Sequence, residues 1–357
     1  MWSGWRAAAL SVFLLLLPGC NLAISLENEE EASTPQRIVG PRVTVEEAYY
    51  RGVLPYQISP TRGVWDQSIS GLDSQHLELG LMQVSTRYFP VDEYLFQEGQ
   101  LIPSEEAKAN VEKINDLLRG PLLQAVLEYD FLANSGKLGG VVVGMAVQST
   151  YVESVVEAGA EVKRERRWER EELLSLVQTA ADEWLALLRQ KTGAEATVPV
   201  VFAVLEVSSQ QLLPGSFIAE GFAKAGEERI AQWKSVDERF LLMPSSAGAL
   251  TAQQEEVNRS FRKVQEQVEQ FFPDFIGVTG MGRFIEQQLS ELTVTMTAEY
   301  DSKAQISQLA QFAIAMLRDP AYFSQDTQVN LYIESLNQPQ AIYVRRADGT
   351  EFLHLYR

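Results

Sequence analysis

The order of predicted elements in the first half of the chain is repeated in the second half. In both halves a predicted helix ends in Phe-Pro, and strand, strand, helix and strand follow. The junctions read RYFPVDEYLF (87–96) and QFFPDFIGVT (270–279), each with an acidic and an aromatic residue after the proline. Since proline is common after any helix, coincidence is the alternative to an internal duplication. The pattern predicts an α+β fold of two lobes, in which helices pack on mixed or antiparallel sheets.

Apolar residues at helical spacing predict which helix faces pack inward. The first helix ends before Pro90, and a second helical region runs from Ser104 to about Asn134, interrupted at Gly120-Pro121. This second region is the extra helix of the first copy. A long helix is predicted over 161–191, another ends before Pro273, and the last covers KAQISQLAQFAIAMLRD. The residues predicted to face inward are Leu77, Leu81, Val84, Tyr88, Leu173, Val177, Trp184, Leu188, Val257, Phe261, Val264, Val268, Phe271, Ile306, Leu309, Ala313 and Leu317.

Strands are predicted between these helices. The main ones are DEYLFQEGQLI, KLGGVVVGMAVQSTY, TVPVVFAVLEVSS, DFIGVTGMGRF, SELTVTMTAEYD and TQVNLYIESL, with QAIYVRR and TEFLHLYR joined by an Asp348-Gly349 turn. A chain of 357 residues is long enough for about two domains. We therefore expect a first α+β lobe over 45–210, a connecting segment over 211–249 and a second α+β lobe over 250–357.

The N-terminus is typical of a targeting signal. The apolar run of residues 7–17 is too short to span a bilayer but fits the core of a signal peptide, predicted over 1–19. Gly19 precedes Cys20, which is the only cysteine, and LPGC resembles a bacterial lipobox. We predict cleavage between Gly19 and Cys20 and diacylglyceryl attachment at Cys20, which anchors the protein to the membrane. The alternative is an ordinary secretory signal with an incidental cysteine. Residues 20–44 are predicted to be an acidic, disordered tether.

Composition excludes several classes of site. The formal net charge is -18, so nucleic acid and bare anionic membrane are poor partners for the folded part. One cysteine and two histidines, His76 and His354, exclude a disulfide framework and a Cys/His metal cluster. We predict no metal and no cofactor.

Several longer stretches resemble one known family. They are YYRGVLPYQISPTRG, LELGLMQVSTRYFPVDEYLFQEGQ, GKLGGVVVGMAVQS, LPGSFIAEGFAKAG and FFPDFIGVTGMGRF, in this order, between about Tyr49 and Arg345. They are similar to the CamS family of Firmicute lipoproteins, also called sex-pheromone precursor lipoproteins. The resemblance implies a lipid-anchored protein on the extracytoplasmic face of a Gram-positive membrane, and in some members of the family the cleaved signal peptide yields a hydrophobic pheromone peptide. Here that peptide would be FLLLLPG, Phe13 to Gly19; the alternative is that the leader is simply degraded.

The sequence carries no nucleophile motif of the GxSxG type, and we predict no catalytic residue. GVTGMG (277–282) lies between strands and lacks the following Lys-Ser/Thr of a phosphate loop. The alternative is a cell-envelope enzyme acting on glycan or peptide through paired carboxylates. The candidate carboxylates are Asp92, Glu93, Glu98, Glu220 and Asp274.

A binding role is the favoured hypothesis, with an unknown surface ligand or protein as partner. The candidate binding patch is an apolar tip around a Pro-Gly turn, formed by Leu212, Leu213, Pro214, Gly215 and Phe217. A turn that is needed only for folding is the alternative. The basic cluster in 161–172 alternates with glutamates, which favours a solvated, salt-bridged helix face. A cleft with two facing carboxylates would favour the enzyme, and a flat apolar patch would favour binding.

Overall fold

The fold is described from a computed structural model. It describes residues 38–39, 49–62, 69–157, 160–191, 197–210, 212–246, 248–272, 275–299, 302–335 and 338–357. The predicted signal peptide, Gly19, Cys20 and Asp274 lie outside these residues. Within the predicted tether, Ile38 and Val39 form a strand that pairs with a second strand. The described residues fall in one compact unit, Arg37–Arg357.

The first lobe is built on a mixed sheet of eight strands. Its strands, in spatial order, are β1 (Ile38–Val39), β2 (Arg51–Leu54), β3 (Tyr94–Glu98), β4 (Leu123–Ala133), β5 (Leu138–Val147), β8 (Val200–Glu206), β9 (Ser216–Ala223) and β10 (Gln232–Ser235). β2 runs parallel to β3 and β5 parallel to β8, and the other neighbours are antiparallel. The remaining strands, β6 (Thr150–Glu157) and β7 (Ala160–Arg167), pair only with each other as a separate hairpin.

Helices cover both faces of the first sheet. Helix α1 (Gly71–Ser85) packs Leu77 and Leu81 on one face, in a core shared with Val142 and Val201. Helices α2 (Ser104–Leu117) and α3 (Arg170–Lys191) cover the other face, where their apolar residues meet Val141, Val143 and Val200. Since successive strand residues point to opposite faces, a central strand with helices on both sides is apolar throughout. The run LGGVVVGMAV of β5 has this composition.

The second lobe is a mixed sheet of six strands with helices on one face. Its strands, in spatial order, are β11 (Glu238–Met243), β12 (Phe275–Ile285), β13 (Gln288–Ala298), β14 (Gln328–Ser335), β15 (Gln338–Arg345) and β16 (Glu351–Leu355). Helices α4 (Ala252–Phe271) and α5 (Lys303–Leu317) pack on one face in a single core that includes Phe261, Leu309 and Val294. Residues of the opposite face, among them Thr279 and Tyr332, are exposed.

The two lobes repeat one topology. The order β11 to β16 matches β3-β4-β5-β8-β9-β10, and the directions agree at every step, with the third pair parallel in both sheets. By this match α4 corresponds to α2, and α5 to α3. The two-lobed α+β fold with an internal repeat is therefore as predicted. The predicted correspondence of helices is wrong, because α1, which covers the opposite face, is the extra helix.

Two predicted helices are partly strands. In the region 104–134 the helix ends at Leu117, because Gly120-Pro121 cannot continue it. The residues that follow form β4, since they are buried on both faces of the sheet. The basic stretch predicted as the start of a helix at 161 is β7, and α3 begins only at Arg170. Its charges pair across the hairpin, as Arg166 Nε to Glu153 Oε2 at 2.9 Å shows. The cluster is solvated, as predicted, although it is not helical.

Most predicted inward residues are buried, but Tyr88 is half-buried and Phe271 is exposed. Phe271, the last residue of α4, is 61% exposed, whereas the next residue, Phe272, packs against the core. The turn before β16 is as predicted, since Gly349 has a φ of 82° and its N–H donates to Arg346 O at 2.9 Å.

The predicted connecting segment belongs to the two sheets. Within 211–249, β9 and β10 complete the first sheet and β11 begins the second. The change from one sheet to the other therefore lies between Ser235 and Glu238.

Candidate functional site

The predicted apolar patch is not formed on the surface. Leu212 is 72% exposed, but Leu213 and Phe217 are 9% and 6% exposed, and Pro214 and Gly215 are buried. The backbone N–H of Gly215 donates to Asp73 Oδ1 at 2.6 Å. A Cβ at Gly215 would lie 2.2 Å from the backbone oxygen of Glu206, so only glycine fits there. The prediction of a binding patch is wrong, and the Pro-Gly turn serves to pack β9 against α1.

Glu98, one of the candidate catalytic carboxylates, is held by its neighbours. Its Oε2 accepts the N–H of Ser59 at 2.6 Å, its Oε1 accepts the hydroxyl of Tyr56 at 2.7 Å, and Arg62 forms an ion pair with it. Burial raises the pKa of Glu98, but the hydrogen bonds from Arg62, Ser59 and Tyr56 lower it below its usual value. A carboxylate kept charged and fully bonded in this way stabilises the segment before α1.

Glu220 is held in the same manner on β9. It is 7% exposed, it is paired with Arg87, and its Oε1 accepts the hydroxyl of Tyr88 at 2.6 Å. Burial, with the hydrogen bond to Glu220, raises the pKa of Tyr88 to about 12.

Glu98 and Glu220, the two buried candidate carboxylates, are too far apart to act as a catalytic pair. Glu98 on β3 and Glu220 on β9 are separated by three strands, so at about 4.8 Å per strand they lie roughly 19 Å apart. Glycoside hydrolysis needs two carboxyl groups about 5 to 9.5 Å apart. Asp92 and Glu93 are exposed in the turn before β3. The structure therefore does not bring these carboxylates together.

Several buried carboxylates were not among the predicted ones, and Glu238, at the start of β11, is one of them. Its side chain is 0% exposed. Its Oε2 accepts the N–H of Phe217 at 2.6 Å and contacts His76 Nε2 at 2.9 Å, and its Oε1 accepts Arg283 Nε at 2.6 Å. These partners lie on β9, α1 and β12, so Glu238 joins the first lobe to the second. A charged residue opening the apolar strand ERFLLM was the only signal for it.

A cleft of about 200 Å³ lies beside this joint, between α1, β9, β10 and β12. Its charged lining residues are Arg87, Glu220, Lys234, Glu238 and Arg283. Glu220 is already paired with Arg87 within the first lobe, and Glu238 with Arg283 within the second, so neither carboxylate is free to meet a ligand.

A larger cleft of about 520 Å³ opens on the second lobe. It lies where the first turns of α4, the turn between β12 and β13, and the segment between α5 and β14 meet. Its lining is Gln253, Glu256, Val257, Gln288, Leu289, Pro320, Ala321, Tyr322, Phe323, Ser324, Gln325 and Thr327. We call it the second-lobe cleft. Pockets of about 300 to 1,000 Å³ are typical of ligand-binding sites.

The walls of the second-lobe cleft are fixed by specific contacts. Thr251 caps α4 through a capping box with Gln254, which sets the first turn of the helix. The buried Arg345 donates to the backbone oxygens of Leu317, Ser324 and Thr327 at 3.1, 3.0 and 3.2 Å. Since these three carbonyls lie at the end of α5 and along the segment after it, Arg345 fixes the position of this wall of the cleft.

The described residues include no group of three or more His, Cys, Asp or Glu side chains placed to hold a metal ion. None of the helices they form is both long and apolar enough to cross a bilayer.

Comparison with protein-family models shows which family the chain belongs to. The family model for the CamS sex pheromone cAM373 precursor matches residues 56–120 and 103–351. The chain belongs to this family. No curated protein matches the sequence.

Solved structures of the same kind share the fold. The crystal structure of a sex pheromone precursor from Lactobacillus salivarius is 22% identical, with a TM-score of 0.76 over 90% of this chain and 99% of that one. The C-terminal domain of the sex pheromone staph-cAM373 precursor from Staphylococcus aureus is 21% identical, with a TM-score of 0.65 over 81% of this chain and 98% of that one. At these identities the likeness shows that the α+β fold is that of CamS proteins.

Sequence reasoning found the family and the fold but missed the second-lobe cleft. Its polar residues are dispersed over three segments, and no spacing in the sequence connects Gln253 with Gln288 or Tyr322. The nearest signal was the Pro320-Ala-Tyr-Phe segment after α5, since aromatic residues on a connecting segment often line a site.

Proposed function

We propose that this CamS-family protein is a membrane-anchored lipoprotein of the extracytoplasmic face that binds a ligand in its second-lobe cleft. The observation that carries the binding role is this cleft of about 520 Å³, whose walls are held in place by Arg345 and the cap of α4. A preformed cleft binds with little ordering of the protein, which favours a receptor role.

The anchor is supported by the N-terminal sequence. Cys20 is the only cysteine and follows an apolar run of signal-peptide length. Two or three acyl chains at this position would hold the protein firmly, since each buried CH₂ contributes about 0.8 kcal/mol. Residues between Cys20 and the first described strand would then separate the folded part from the bilayer.

The leader is a second product in this proposal. Cleavage before Cys20 frees the segment that ends in FLLLLPG, residues 13–19, which is hydrophobic like a pheromone peptide. Its release does not depend on what the folded part binds.

Binding is favoured over catalysis because the second-lobe cleft does not contain two facing carboxylates. Glu256 is the one carboxylate that lines the second-lobe cleft, whereas the two-carboxylate chemistry of an envelope glycosidase needs a facing pair. Glu98, Glu220 and Glu238 are buried and bonded elsewhere in the fold.

Thermal unfolding tests the binding role. The mature protein is heated alone and with three envelope fractions: soluble cell-wall glycan, anionic teichoic polymer and peptide. The Gln288→Trp variant fills the cleft from its exposed rim, and Gln305→Trp places the same ring on the exposed side of α5 as a control. A ligand that binds the native state raises the unfolding midpoint.

We expect at least one fraction to raise the midpoint of the wild type and of Gln305→Trp, and not that of Gln288→Trp. An equal rise in both variants would contradict a ligand site in the cleft, as would no rise with any fraction.

A further inference from the structure

We propose that the ligand of the second-lobe cleft is a neutral, hydroxyl-rich glycan. This inference rests on the proposed function, since it concerns the same cleft, and it names the chemical class that the lining fits.

The charge of the lining excludes most other envelope ligands. None of the twelve lining residues is Lys, Arg or His, and Glu256 supplies the one formal charge. The whole chain carries a formal charge of -18. A phosphate polymer or an acidic peptide would meet repulsion and no cation in this cleft. A ligand without formal charge has no such penalty.

The polar groups of the cleft are available for hydrogen bonds. Among the described residues, the side chains of Gln253, Gln288 and Glu256 make no hydrogen bond and lie at the rim or on the wall. Gln325 donates its Nε2 to the backbone oxygen of Arg318 at 2.7 Å, which leaves its Oε1 as an acceptor. Amides offer both donors and acceptors, and sugar hydroxyls need both. Three glutamines around one cleft therefore match a ligand that presents many hydroxyl groups.

The apolar part of the lining complements the other side of a sugar. Leu289 is half-buried and offers apolar surface in the cleft, and Phe323, which also lines it, is 2% exposed and fixed in the core. Tyr322 is half-buried, and its hydroxyl accepts Gln267 Nε2 at 3.0 Å, which restrains the ring. The C–H groups of a pyranose ring give it an apolar face, which packs well on aromatic and aliphatic side chains. A cleft with amides and an aromatic ring thus meets both kinds of sugar surface.

Calorimetric titration of the full mature protein tests the inference. The probes are chitotetraose, which has the N-acetylated β-linked backbone chemistry of cell-wall glycan, maltotetraose as a neutral glucan, and poly(glycerol phosphate) as an anionic polymer. The variants are Gln253→Ala and Gln288→Ala, with Gln305→Ala on α5 as the matched control. Each replaced side chain makes no hydrogen bond among the described residues, so we expect all three variants to fold.

We expect at least one neutral oligosaccharide to bind the wild type and Gln305→Ala equally. Each cleft variant should weaken binding by about five-fold, the loss of one ordinary hydrogen bond. Binding of chitotetraose alone would assign the source as cell-wall glycan, and binding of maltotetraose alone would assign another neutral polysaccharide.

No binding of either neutral oligosaccharide, or binding that both cleft variants leave unchanged, would overturn the inference. The proposed function would survive that result if the peptide or teichoic fraction stabilised the wild type but not Gln288→Trp. The two claims therefore fail separately.

Discussion

Buried carboxylates connect the parts of this fold through backbone N–H groups and nearby cations. Glu98, Glu220 and Glu238 each accept at least two hydrogen bonds from distant segments. A buried carboxylate is costly unless it is bonded in this way. Sequence reasoning placed Glu98 and Glu220 in a possible active site because it could not see these partners, which lie far along the chain.

Replacement of Glu238 should loosen the joint between the lobes. Glu238→Ala leaves the half-buried Arg283 and the N–H of Phe217 without their acceptor. Breaking a buried pair costs about 3 to 5 kcal/mol in the free energy of unfolding. Urea denaturation measures this loss, and Asp237→Ala, at a neighbouring residue whose side chain is 44% exposed, is the control with a loss below about 0.5 kcal/mol. A loss as small as that of the control would show that Glu238 does not hold the lobes.

The lowered pKa of Glu238 leads us to expect that acid reduces the stability of the folded protein. Burial raises the pKa of Glu238, but the hydrogen bond and charge of His76, the charge of Arg283 and the Phe217 N–H lower it below 4.5. As the pH falls, the carboxyl group of Glu238 is therefore protonated in the unfolded chain before it is protonated in the native state. Its contribution to the free energy of unfolding is present above about pH 4.5 and is lost as the pH falls through the folded pKa. In Glu238→Gln the free energy of unfolding should fall less steeply between pH 5 and 3, as acid titration at fixed urea would show.

Glu128 on β4 should behave in the opposite way. It is 0% exposed, and burial raises its pKa, although the N–H of Leu101, 2.9 Å from Oε1, opposes the shift. Because the native state holds the proton more tightly, its contribution to stability is lost as the pH rises through the folded pKa. Glu128→Gln keeps the acceptor and removes the charge. We expect its free energy of unfolding to exceed that of the wild type at pH 8 and to equal it near pH 4; a lower value at pH 8 would refute the assignment.

At the scale of elements, the secondary-structure predictions were wrong where packing between distant segments, rather than the local sequence pattern, determines whether a segment is a helix or a strand. The stretch QAVLEYDFLA reads as a helix by composition, yet it is the buried strand β4, with helices on both of its faces. The alternating charges of β7 fit a helix surface and a hairpin equally well. By contrast, α4 and α5 were predicted correctly because each has one apolar stripe and one covered face.

Two glycines of α1 should respond oppositely to the same change. A Cβ at Gly80 would lie 2.1 Å from the buried ring of Phe217, whereas one at Gly71 would meet nothing within 4 Å. Gly80→Ala therefore forces the core apart and should lower the free energy of unfolding by about 1 to 3 kcal/mol. Gly71→Ala should raise it by about 0.4 to 1 kcal/mol, because the unfolded chain loses freedom. Equal effects in thermal or urea unfolding would contradict the packing of α1 on β9.

At the scale of the whole molecule, the repeated topology makes each lobe a unit with its own core. The core of the second lobe shares no residue with the two cores of the first. The order of elements was sufficient to predict this repeat from the sequence. The predicted equivalence of α1 and α4 was wrong, because tertiary packing determines which face of a sheet a helix covers.

The second lobe should therefore fold by itself. A fragment of residues 237–357 contains all six strands and both helices of this lobe. We expect a cooperative thermal transition by circular dichroism, at a lower temperature than in the full chain, because Glu238 loses Phe217 and His76. A fragment without a cooperative transition would show that the lobes are not separate folding units.

The proposed receptor role requires that the protein is anchored to the outer face of the membrane through Cys20. The most direct measurement is the intact mass of the protein extracted from membranes, beside that of Cys20→Ala. We predict a chain that begins at Cys20 and carries added acyl mass, and a variant that loses both this mass and its retention in the membrane fraction. An unacylated mature chain, or equal retention of the variant, would contradict the claim that this CamS protein is a lipid-anchored receptor.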